Sequence, residues 1–331
     1  MSDKIDFVLL WVNGNDPDWM SKKKLFNAVD AEGACENRFR DWDNLQYWFR
    51  GIETFAPWVN RIHLVTCGHY PEWLNREHPK LHLVNHSDYI PPQYLPTFNS
   101  NVIELLLHKL PDLAEQFVLF NDDMFFTSNV NSESFFKNGR PCDQALMGII
   151  SPSTMFSYIK MNNISVINKH FKKRSVIKKH PLHFFHYRYG LLQNLKNAIL
   201  CLWEDFSGMN DPHLPIAYNK KTFEDVWAQE SELLSSICNH RFREKMDLSH
   251  WLFRYWRLMK GEFTPAAQVG KTFLLSTDDR QNAKIYAAIR KGKYKTICIN
   301  DSDMNIDFER VQKELIGAFD AILPNKSAFE I

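Results

Sequence analysis

The chain has 331 residues, of which 44% are hydrophobic and 14% aromatic, and its formal net charge is +1. This composition excludes intrinsic disorder and can fill a large core in one extended domain or two smaller ones. A nearly neutral chain with a single basic interval also argues against nucleic-acid binding. The six cysteines lack the paired close spacing of a zinc or redox motif, which predicts reduced thiols.

Two features bear on where the protein works. No apolar run approaches the roughly 20 residues that span a bilayer, and the acidic N-terminus does not have a signal-peptide charge pattern, so we expect a cytoplasmic protein. Between Asp143 and Glu204 the chain has nine Lys and Arg residues and no acidic residue. The basic segment 169–179 predicts peripheral contact with the inner face of the plasma membrane. A solvated loop or an acceptor-binding face is the alternative.

The first 126 residues alternate strand and helix patterns, which predicts βα units and a parallel sheet. The predicted strands cover 7–12, 61–66, 81–85 and 117–120. A helix is expected over 41–55, capped by Asp41 and ended by Pro57, because its apolar residues recur at helical spacing. A second helix, over 99–110, ends before Pro111.

The rest of the chain is predicted as a covering segment and a mainly helical part. Residues 144–203 are basic, rich in aromatics and less regular, which favours an insertion covering one side of the sheet. Helices are expected over 222–238, 248–259 and 307–319. A strand over 294–300 is expected to return to the first sheet, which joins the α/β half, 1–143, and the helical part, 204–331, into one composite domain.

The segment from Asp6 to Trp19 runs an apolar strand into a polar loop. In open α/β sheets, ligands bind beyond the carboxyl ends of strands. We therefore expect Asn13, Asn15 and Asp16 to lie where a substrate binds. A plain turn is the alternative, since Asn-Gly and Asp-Pro are common turn dipeptides.

A second apolar strand ends in Asn121, Asp122 and Asp123. Hard divalent cations prefer carboxylate oxygens, and Mg²⁺ is typically held by one or two carboxylates together with substrate phosphates. The pair Asp122 and Asp123 therefore predicts a Mg²⁺ or Mn²⁺ site for a nucleotide, with a solvated acidic turn as the alternative.

The C-terminal strand ends in the same way, at Asn300 and Asp301. These residues are expected to add to the same crevice. The neighbouring Ser302 and Asp303 are equally well explained as a helix N-cap.

Basic and titratable partners come from other segments. Arg38, Arg40, Arg241 and Arg243 are candidates for phosphate binding, because the planar guanidinium suits bidentate contact with phosphate oxygens. His213, between two prolines, is a candidate general base. For each of these residues an ordinary surface or structural role is the alternative.

In order along the chain, these clusters resemble the conserved blocks of the Stealth family of sugar-phosphate transferases. The similar blocks are Ile5-Asp-Phe-Val-Leu-Leu-Trp-Val-Asn-Gly-Asn-Asp-Pro, Arg38-Phe-Arg-Asp, Leu95-Pro-Thr-Phe-Asn-Ser-Asn-Val-Ile-Glu104, Phe120-Asn-Asp-Asp-Met-Phe-Phe, His213-Leu-Pro, Arg241-Phe-Arg and Ile297-Cys-Ile-Asn-Asp. The resemblance covers most of the chain except the basic middle. It implies a Rossmann-like, GT-A-like fold with a mostly parallel sheet.

The resemblance also implies site residues. Asn13, Asn44, His69 and Asn101 depart from the residues usual in the family. The matching positions are Asp16, Arg40, Asp41, Asn99, Asp122, Asp123, His213, Arg241, Arg243, Asn300 and Asp301. Four of these positions are expected to act in catalysis, namely Asp16, His213, Arg241 and Arg243. The residues expected to bind substrate are Asn13, Asn15, Arg38, Arg40, Asp41, Asn99, Asn300 and Asp301.

The implied reaction moves a hexose 1-phosphate or N-acetylhexosamine 1-phosphate from a UDP-sugar to a glycan hydroxyl or a lipid-linked oligosaccharide. UMP leaves, and the product is a phosphodiester-linked capsular or exopolysaccharide. A metal-dependent glycosyltransferase that releases UDP is one alternative. A non-catalytic glycan- or membrane-binding protein is the other.

Overall fold

The computed structural model describes residues 4–26, 42–301 and 306–331. The strands are β1 Ile5–Leu10, β2 Ile62–Thr66, β3 Leu81–Asn85, β4 Gln116–Asn121, β5 Met124–Phe126, β6 Phe136–Lys137, β7 Arg140–Asp143, β8 Ile216–Asn219, β9 Thr264–Pro265, β10 Gly270–Leu275 and β11 Thr296–Asp301. The helices are α1 Pro17–Phe26, α2 Leu45–Phe55, α3 Ser100–Leu105, α4 Met155–His170, α5 Lys173–Lys179, α6 Pro181–Phe184, α7 Leu191–Leu200, α8 Lys220–Cys238, α9 Trp251–Lys260, α10 Asp279–Arg290 and α11 Phe308–Asp320.

The main sheet has the strand order β3-β2-β1-β4-β8. Its first four strands are parallel, and β8 pairs antiparallel with β4. Strand order reverses between β1 and β4, and such a switch point opens a crevice at the carboxyl ends of the strands. The predicted Rossmann-like, mostly parallel sheet flanked by helices is confirmed by this topology.

Hydrophobic side chains alternate across β1 and fill a core on each face of the sheet. Phe7 and Leu9 join the core that α2, α10 and α11 cover. Val8, between them, joins the core that contains side chains of α3, α4, α8 and α9. The strand is therefore buried on both faces, as its continuous apolar sequence predicted.

A second sheet has the order β10-β11-β5. The expectation that the last strand returns to the first sheet is wrong, because β8 occupies the outer edge of β4. Strand β11 instead pairs antiparallel with β5 and parallel with β10. Only Asp122 and Asp123 separate β4 from β5, so the acidic pair lies at the junction of the two sheets.

The basic interval is more regular than predicted, since it contains α4 to α7. Ile164, Ile167, Phe184 and Leu200 from this interval belong to the same core as Val8. Side chains of the interval therefore pack into the core on one face of the main sheet.

The described part of the chain contains no helix that is both long and apolar enough to cross a membrane.

Candidate active site

The carboxyl edge of the main sheet carries two adjoining cavities. The larger, of about 500 Å³, is bounded by the loops after β1, β2 and β3. The smaller, of about 200 Å³, lies between the ends of β1 and β4. His86 and Phe98 line both cavities, so they form a shared wall. This position is the one that the strand order predicts for a ligand.

The loop after β1 is a turn that also lines the larger cavity. The Asn13 backbone N–H donates to His69 Nε2 at 2.7 Å, and Asn13 Oδ1 accepts from the Asn15 backbone N–H at 2.9 Å. Asp16 Oδ1 accepts from the Trp19 backbone N–H at 2.7 Å, which caps the start of α1. Asp16 also faces the larger cavity, so its carboxylate combines a structural contact with access to a ligand.

Asn121, Asp122 and Asp123 line the smaller cavity. Asp123 Oδ2 accepts from the Cys298 thiol at 3.3 Å, while Asp123 Oδ1 is buried without a hydrogen-bond partner. Burial raises the pKa of Asp123, although nearby His213 opposes the shift. An unsatisfied buried carboxylate oxygen is costly, so this atom is suited to a ligand that supplies positive charge.

His213 lies between the ends of β4 and β11. Its Nε2 is 3.1 Å from Asn121 Nδ2, and its Nδ1 is 2.8 Å from Asn300 Nδ2. Its Nδ1 is also 3.9 Å from Asp123 Oδ2. The predicted meeting of separate strand ends is thus present for Asn121, Asp123, His213 and Asn300. Asp301 follows at the last position of β11.

A buried ionic network fixes the loop that carries His213. Asp211, two residues earlier, accepts from Tyr255 Oη at 2.6 Å and from Arg254 at 3.3 Å, and Lys160 lies 3.1 Å from it. On the other side, Thr272 donates to the His213 carbonyl at 2.7 Å. Sequence reasoning missed Asp211, and the only available signal was its position in the constrained Asp-Pro-His-Leu-Pro segment.

Asp247 organises the loop that carries Arg241 and Arg243. This buried carboxylate accepts from His240 at 2.7 Å, from Asn99 at 2.8 Å and from Asn101 at 3.0 Å. These bonds hold the loop against the start of α3, and no sequence motif had singled out Asp247.

The position of Asn99 does not agree with its predicted contact with substrate. Its side chain is fully buried and also donates to the carbonyls of His240 and Phe242. We therefore assign Asn99 a positioning role beneath the arginine loop.

The two arginines of this loop point to different neighbours. Arg243 donates to Ser100 Oγ and lines the smaller cavity beside Asp122 and Asp123. The Arg241 guanidinium lies 4.6 Å from the ring centroid of Phe26 in α1. Of the pair, Arg243 is the one that faces the acidic strand end.

Glu104, on α3, is a wall residue of the smaller cavity that sequence reasoning did not single out. Burial raises its pKa to about 7, although the positive charge of Arg243 opposes the shift. His250 Nε2 lies 3.8 Å from its carboxylate, and burial lowers the pKa of His250 to about 3. The structure therefore places a buried carboxyl with a raised pKa in the wall of the cavity that Asp122 and Asp123 also line.

Asp123, His213 and Cys298 place potential metal-ligand atoms within 4.8 Å of one another. The unsatisfied Asp123 Oδ1 supports a cation at this place, because a divalent ion would satisfy it. Burial and the adjacent Asp123 raise the pKa of the Cys298 thiol, so the thiol acts here as a hydrogen-bond donor. Of these three donors, the Asp123 carboxylate is the one that a hard divalent cation prefers, whereas the imidazole and the thiol are softer ligands.

Three predicted substrate residues, Arg38, Arg40 and Asp41, lie outside the described residues.

Family models match two regions in the N-terminal part of the chain. The family model of Stealth protein conserved region 1 matches residues 3–28, and that of conserved region 2 matches residues 38–143. A capsular polysaccharide phosphotransferase of Streptococcus pneumoniae is 40% identical over 99% of this chain and 98% of the relative. The chain belongs to the Stealth family. The predicted membership and the predicted transferase enzyme are confirmed.

Two other polysaccharide phosphotransferases match over nearly their full length. An exopolysaccharide phosphotransferase of Lactiplantibacillus plantarum is 38% identical over 98% of this chain and 96% of the relative. A receptor polysaccharide phosphotransferase of Streptococcus gordonii is 37% identical over the whole of both chains. Among solved structures, the galactosyltransferase LgtC overlays with a TM-score of 0.40 at 10% identity, covering 94% of this chain and 95% of that one.

Proposed function

We propose that this Stealth protein transfers a hexose 1-phosphate or an N-acetylhexosamine 1-phosphate from a UDP-sugar to a hydroxyl of a glycan or a lipid-linked oligosaccharide. UMP is released, and the product is a phosphodiester-linked capsular or exopolysaccharide. The observation that carries the proposal is the meeting of Asn121, Asp123, His213 and Asn300 beside the switch-point cleft. Full-length similarity to three polysaccharide phosphotransferases supports the reaction class.

In this reaction the acceptor oxygen forms a bond to the phosphorus that bears the sugar. The bond between that phosphorus and the UMP oxygen breaks, and the hydroxyl proton passes to a protein base. Phosphoryl transfer asks the protein mainly to position the reactants and to stabilise charge on the phosphate oxygens. Arg243 suits the second task, because its guanidinium lines the same cavity as Asp122 and Asp123.

Asp122 and Asp123 would hold Mg²⁺ or Mn²⁺ at the end of β4. The ion would neutralise the diphosphate and polarise the phosphorus under attack. Hard oxygen donors at this position fit both ions. Arg241, Asn300 and Asp301 complete the proposed phosphate and sugar contacts from the neighbouring loop and strand.

His213 and Asp16 are the two proposed proton acceptors. His213 is held on three sides by Asn121, Asn300 and the Thr272 contact, and its side chain is 38% exposed. Asp16 lies in the larger cavity, which is wide enough for a sugar. Asn13 and Asn15 in the same loop are proposed to contact the nucleotide.

An ordinary metal-dependent glycosyltransferase is the second candidate, because an acidic pair at a strand end serves that chemistry equally well. Attack would then fall on the anomeric carbon, and the by-product would be UDP. A non-catalytic glycan- or membrane-binding protein is disfavoured by the concentration of titratable groups in the cleft.

The deciding experiment incubates purified protein with a panel of nucleotide sugars, a divalent metal and an acceptor glycan, and measures the nucleotide released. We expect UMP, and we expect a chelator or Asp123→Asn to abolish its release. Asp279→Asn is the matched control, because Asp279 is exposed on α10 and lines neither cavity, so this variant should retain activity. Release of UDP would favour the glycosyltransferase, and absence of any turnover across the panel would favour the binding protein.

The predicted membrane segment 169–179 has a mixed environment. Lys169 pairs with Glu230 at 2.6 Å, and Lys173 is buried. Its other basic residues, Lys172, Arg174, Lys178 and Lys179, are exposed. We propose that these exposed side chains contribute to peripheral contact at the cytoplasmic face of the membrane. No nucleic-acid partner is proposed.

A further inference from the structure

Helix α7 turns its hydrophobic face toward solvent. Leu191, Leu192, Leu195 and Ile199 are exposed, with Leu191 84% and Leu192 79% accessible. At 100° per residue these four side chains occupy an arc of about 100° on one side of the helix. In a surface helix of a globular protein this stripe normally faces the core, so α7 has the opposite orientation.

Specific polar contacts hold α7 in this orientation. Asn197, on the opposite side, is fully buried and accepts from the Met147 backbone N–H at 2.8 Å. Its amide also donates to the carbonyls of Ala145 and Phe184, at 2.9 and 2.6 Å. Rotating the helix to turn the leucines inward would break all three hydrogen bonds. Asn197 would then be either exposed to solvent or buried without hydrogen-bond partners. The exposed stripe is therefore a fixed feature of the fold.

The far end of α7 is also anchored. Lys173, from α5, is buried and donates to the carbonyls of Leu200 and Asp205, at 3.0 and 2.8 Å. A buried lysine is costly unless its hydrogen bonds are satisfied, and here it fastens α7 to the basic helix α5. The apolar stripe and the exposed lysines of α5 consequently belong to one rigid unit.

The exposed hydrophobic side chains extend beyond α7 on both sides. Leu202, two residues after the end of the helix, is 80% exposed, and the aromatic residues Tyr187, before the helix, and Trp203, after it, are also exposed. We call the set Leu191, Leu192, Leu195, Ile199, Leu202 and Trp203 the α7 surface. Residues 149–203 contain twelve of the nineteen large hydrophobic side chains that are exposed in the described part of the chain. This concentration exceeds the scattered apolar residues of an ordinary surface and indicates an interaction site.

The charge around the α7 surface indicates what kind of partner it binds. Residues 144–203 have nine basic residues and no acidic residue, whereas the rest of the chain is net acidic. Arg188 and Lys196 are exposed beside the stripe, and Lys178 and Lys179 are exposed at the end of α5. A helix that lies in the plane of an anionic bilayer typically has leucines that insert into it, aromatic residues at the interface and flanking lysines.

We propose that the α7 surface docks this protein on a lipid bilayer with anionic headgroups, with α7 parallel to the membrane plane. The leucines insert below the headgroups, and the lysines and Arg188 contact lipid phosphates. This inference moves the main membrane contact from 169–179 to the adjacent helix. It rests on the fold and charge of residues 144–203 and is independent of the reaction catalysed in the cleft.

Vesicle flotation with the full chain tests the proposal. The wild-type protein should float with phosphatidylcholine vesicles that contain phosphatidylglycerol, and much less with phosphatidylcholine alone. Leu192→Gln and Leu195→Gln should each lower the partition coefficient about tenfold, since each removes an inserted apolar side chain. Glutamine keeps the helix propensity of leucine, so α7 should remain folded.

The matched control is Leu233→Gln, an exposed leucine of α8 outside the α7 surface, which should leave flotation unchanged. Lys178→Glu with Lys179→Glu should weaken binding to phosphatidylglycerol vesicles and remove most of its salt dependence. Thermal unfolding of every variant confirms that it is folded.

Two outcomes would overturn the proposal. One is a wild-type protein that fails to float with either vesicle. The other is sedimentation of the wild type as a dimer that Leu192→Gln dissociates, together with vesicle binding that the leucine variants do not change. The second outcome would assign the α7 surface to a second copy of the chain.

Discussion

At the residue scale, the environment of His213 limits its protonation chemistry. Both ring nitrogens face asparagine amides, Nε2 at 3.1 Å and Nδ1 at 2.8 Å. A neutral imidazole accepts at one nitrogen and donates at the other, and a half-turn of an amide exchanges its oxygen for its nitrogen. Asn121 and Asn300 can therefore select a tautomer, and an acceptor hydroxyl that gives its proton to the unprotonated nitrogen must displace the amide that donates to it.

The first prediction concerns this base. His213→Ala should lower kcat by roughly 100- to 10,000-fold, which is the usual contribution of a positioned general base. Steady-state kinetics of UMP release measure the effect, with Asp16→Asn assayed in parallel. Near-normal turnover of His213→Ala, with a large loss in Asp16→Asn, would assign proton transfer to Asp16.

The second prediction concerns the pH dependence of stability. Burial raises the pKa of Glu104 to about 7 from its usual 4.5, so folding favours the protonated carboxyl. Its favourable contribution is complete below about pH 4.5 and is lost as the pH rises through 7. Compared with Glu104→Gln, the wild type should lose up to about 3 kcal/mol of unfolding free energy between pH 5 and pH 9.

Urea unfolding of both proteins across this range measures the difference. Parallel stability curves for wild type and Glu104→Gln would show that Glu104 ionises normally in the folded protein.

Polar residues that follow an apolar strand were predicted to share one crevice, and Asn121, Asp123 and Asn300 do lie together, next to His213. Their roles stay predictions. Asp211, Asp247 and Glu104 were not predicted, because their roles depend on partners distant in sequence, such as Arg254 for Asp211. Asn99 was predicted on its match to a family block, which does not distinguish a ligand contact from a buried hydrogen bond.

At the scale of elements, the loops of the proposed active site depend on buried carboxylates. Asp211 anchors the His213 loop to α9 through Arg254 and Tyr255. Arg254 is itself buried and also pairs with Asp143 at 2.8 Å, which connects the loop to β7. Removing one member of such a network leaves the other charges buried without compensation.

The third prediction follows for Asp211→Asn. It should lower the unfolding free energy by about 3–5 kcal/mol and reduce kcat, because the His213 loop loses its anchor. Asp279→Asn is the matched control, since Asp279 also pairs with an arginine, Arg310, but both side chains are more than half exposed. The control should not measurably change urea unfolding or activity. Equal effects of the two variants would contradict the anchoring role.

The prediction of elements was most accurate where periodicity was strong. Strands β1 to β4 and helices α2 and α8 were predicted within a few residues of their observed bounds. Strand β8 was missed because its four residues are too short for a periodic signal. The last strand was expected to return to the first sheet, where β8 instead pairs with β4, and β11 pairs with β5 and β10.

At the scale of the whole molecule, the two sheets meet at the acidic pair. The turn between β4 and β5 carries Asp122 and Asp123, and the Ile299 backbone N–H of β11 donates to the Asp123 carbonyl at 2.9 Å. This bond fixes the distance between the sheets at the proposed metal position. The single composite domain and its division at residues 143 and 203 both stay predictions.

The proposed active site and the proposed membrane contact lie on different parts of the molecule. The cleft lies at the carboxyl edge of the main sheet, whereas the proposed bilayer contact belongs to the basic helical interval. Variants of the α7 surface should therefore affect flotation and leave UMP release with a soluble acceptor intact. The sequence predicted a basic membrane segment but not α7, because the inverted orientation of that helix depends on the hydrogen bonds of Asn197.

The fate of the phosphorus that bears the sugar shows whether the protein transfers sugar phosphate or sugar alone. Purified protein is incubated with acceptor glycan, a divalent metal and a UDP-sugar labelled with phosphorus-32 in the β-phosphate. If the protein is a sugar-phosphate transferase, the label enters the glycan as a phosphodiester and unlabelled UMP is released. If the label leaves as UDP and the glycan gains sugar without phosphorus, the protein is a glycosyltransferase and not a sugar-phosphate transferase.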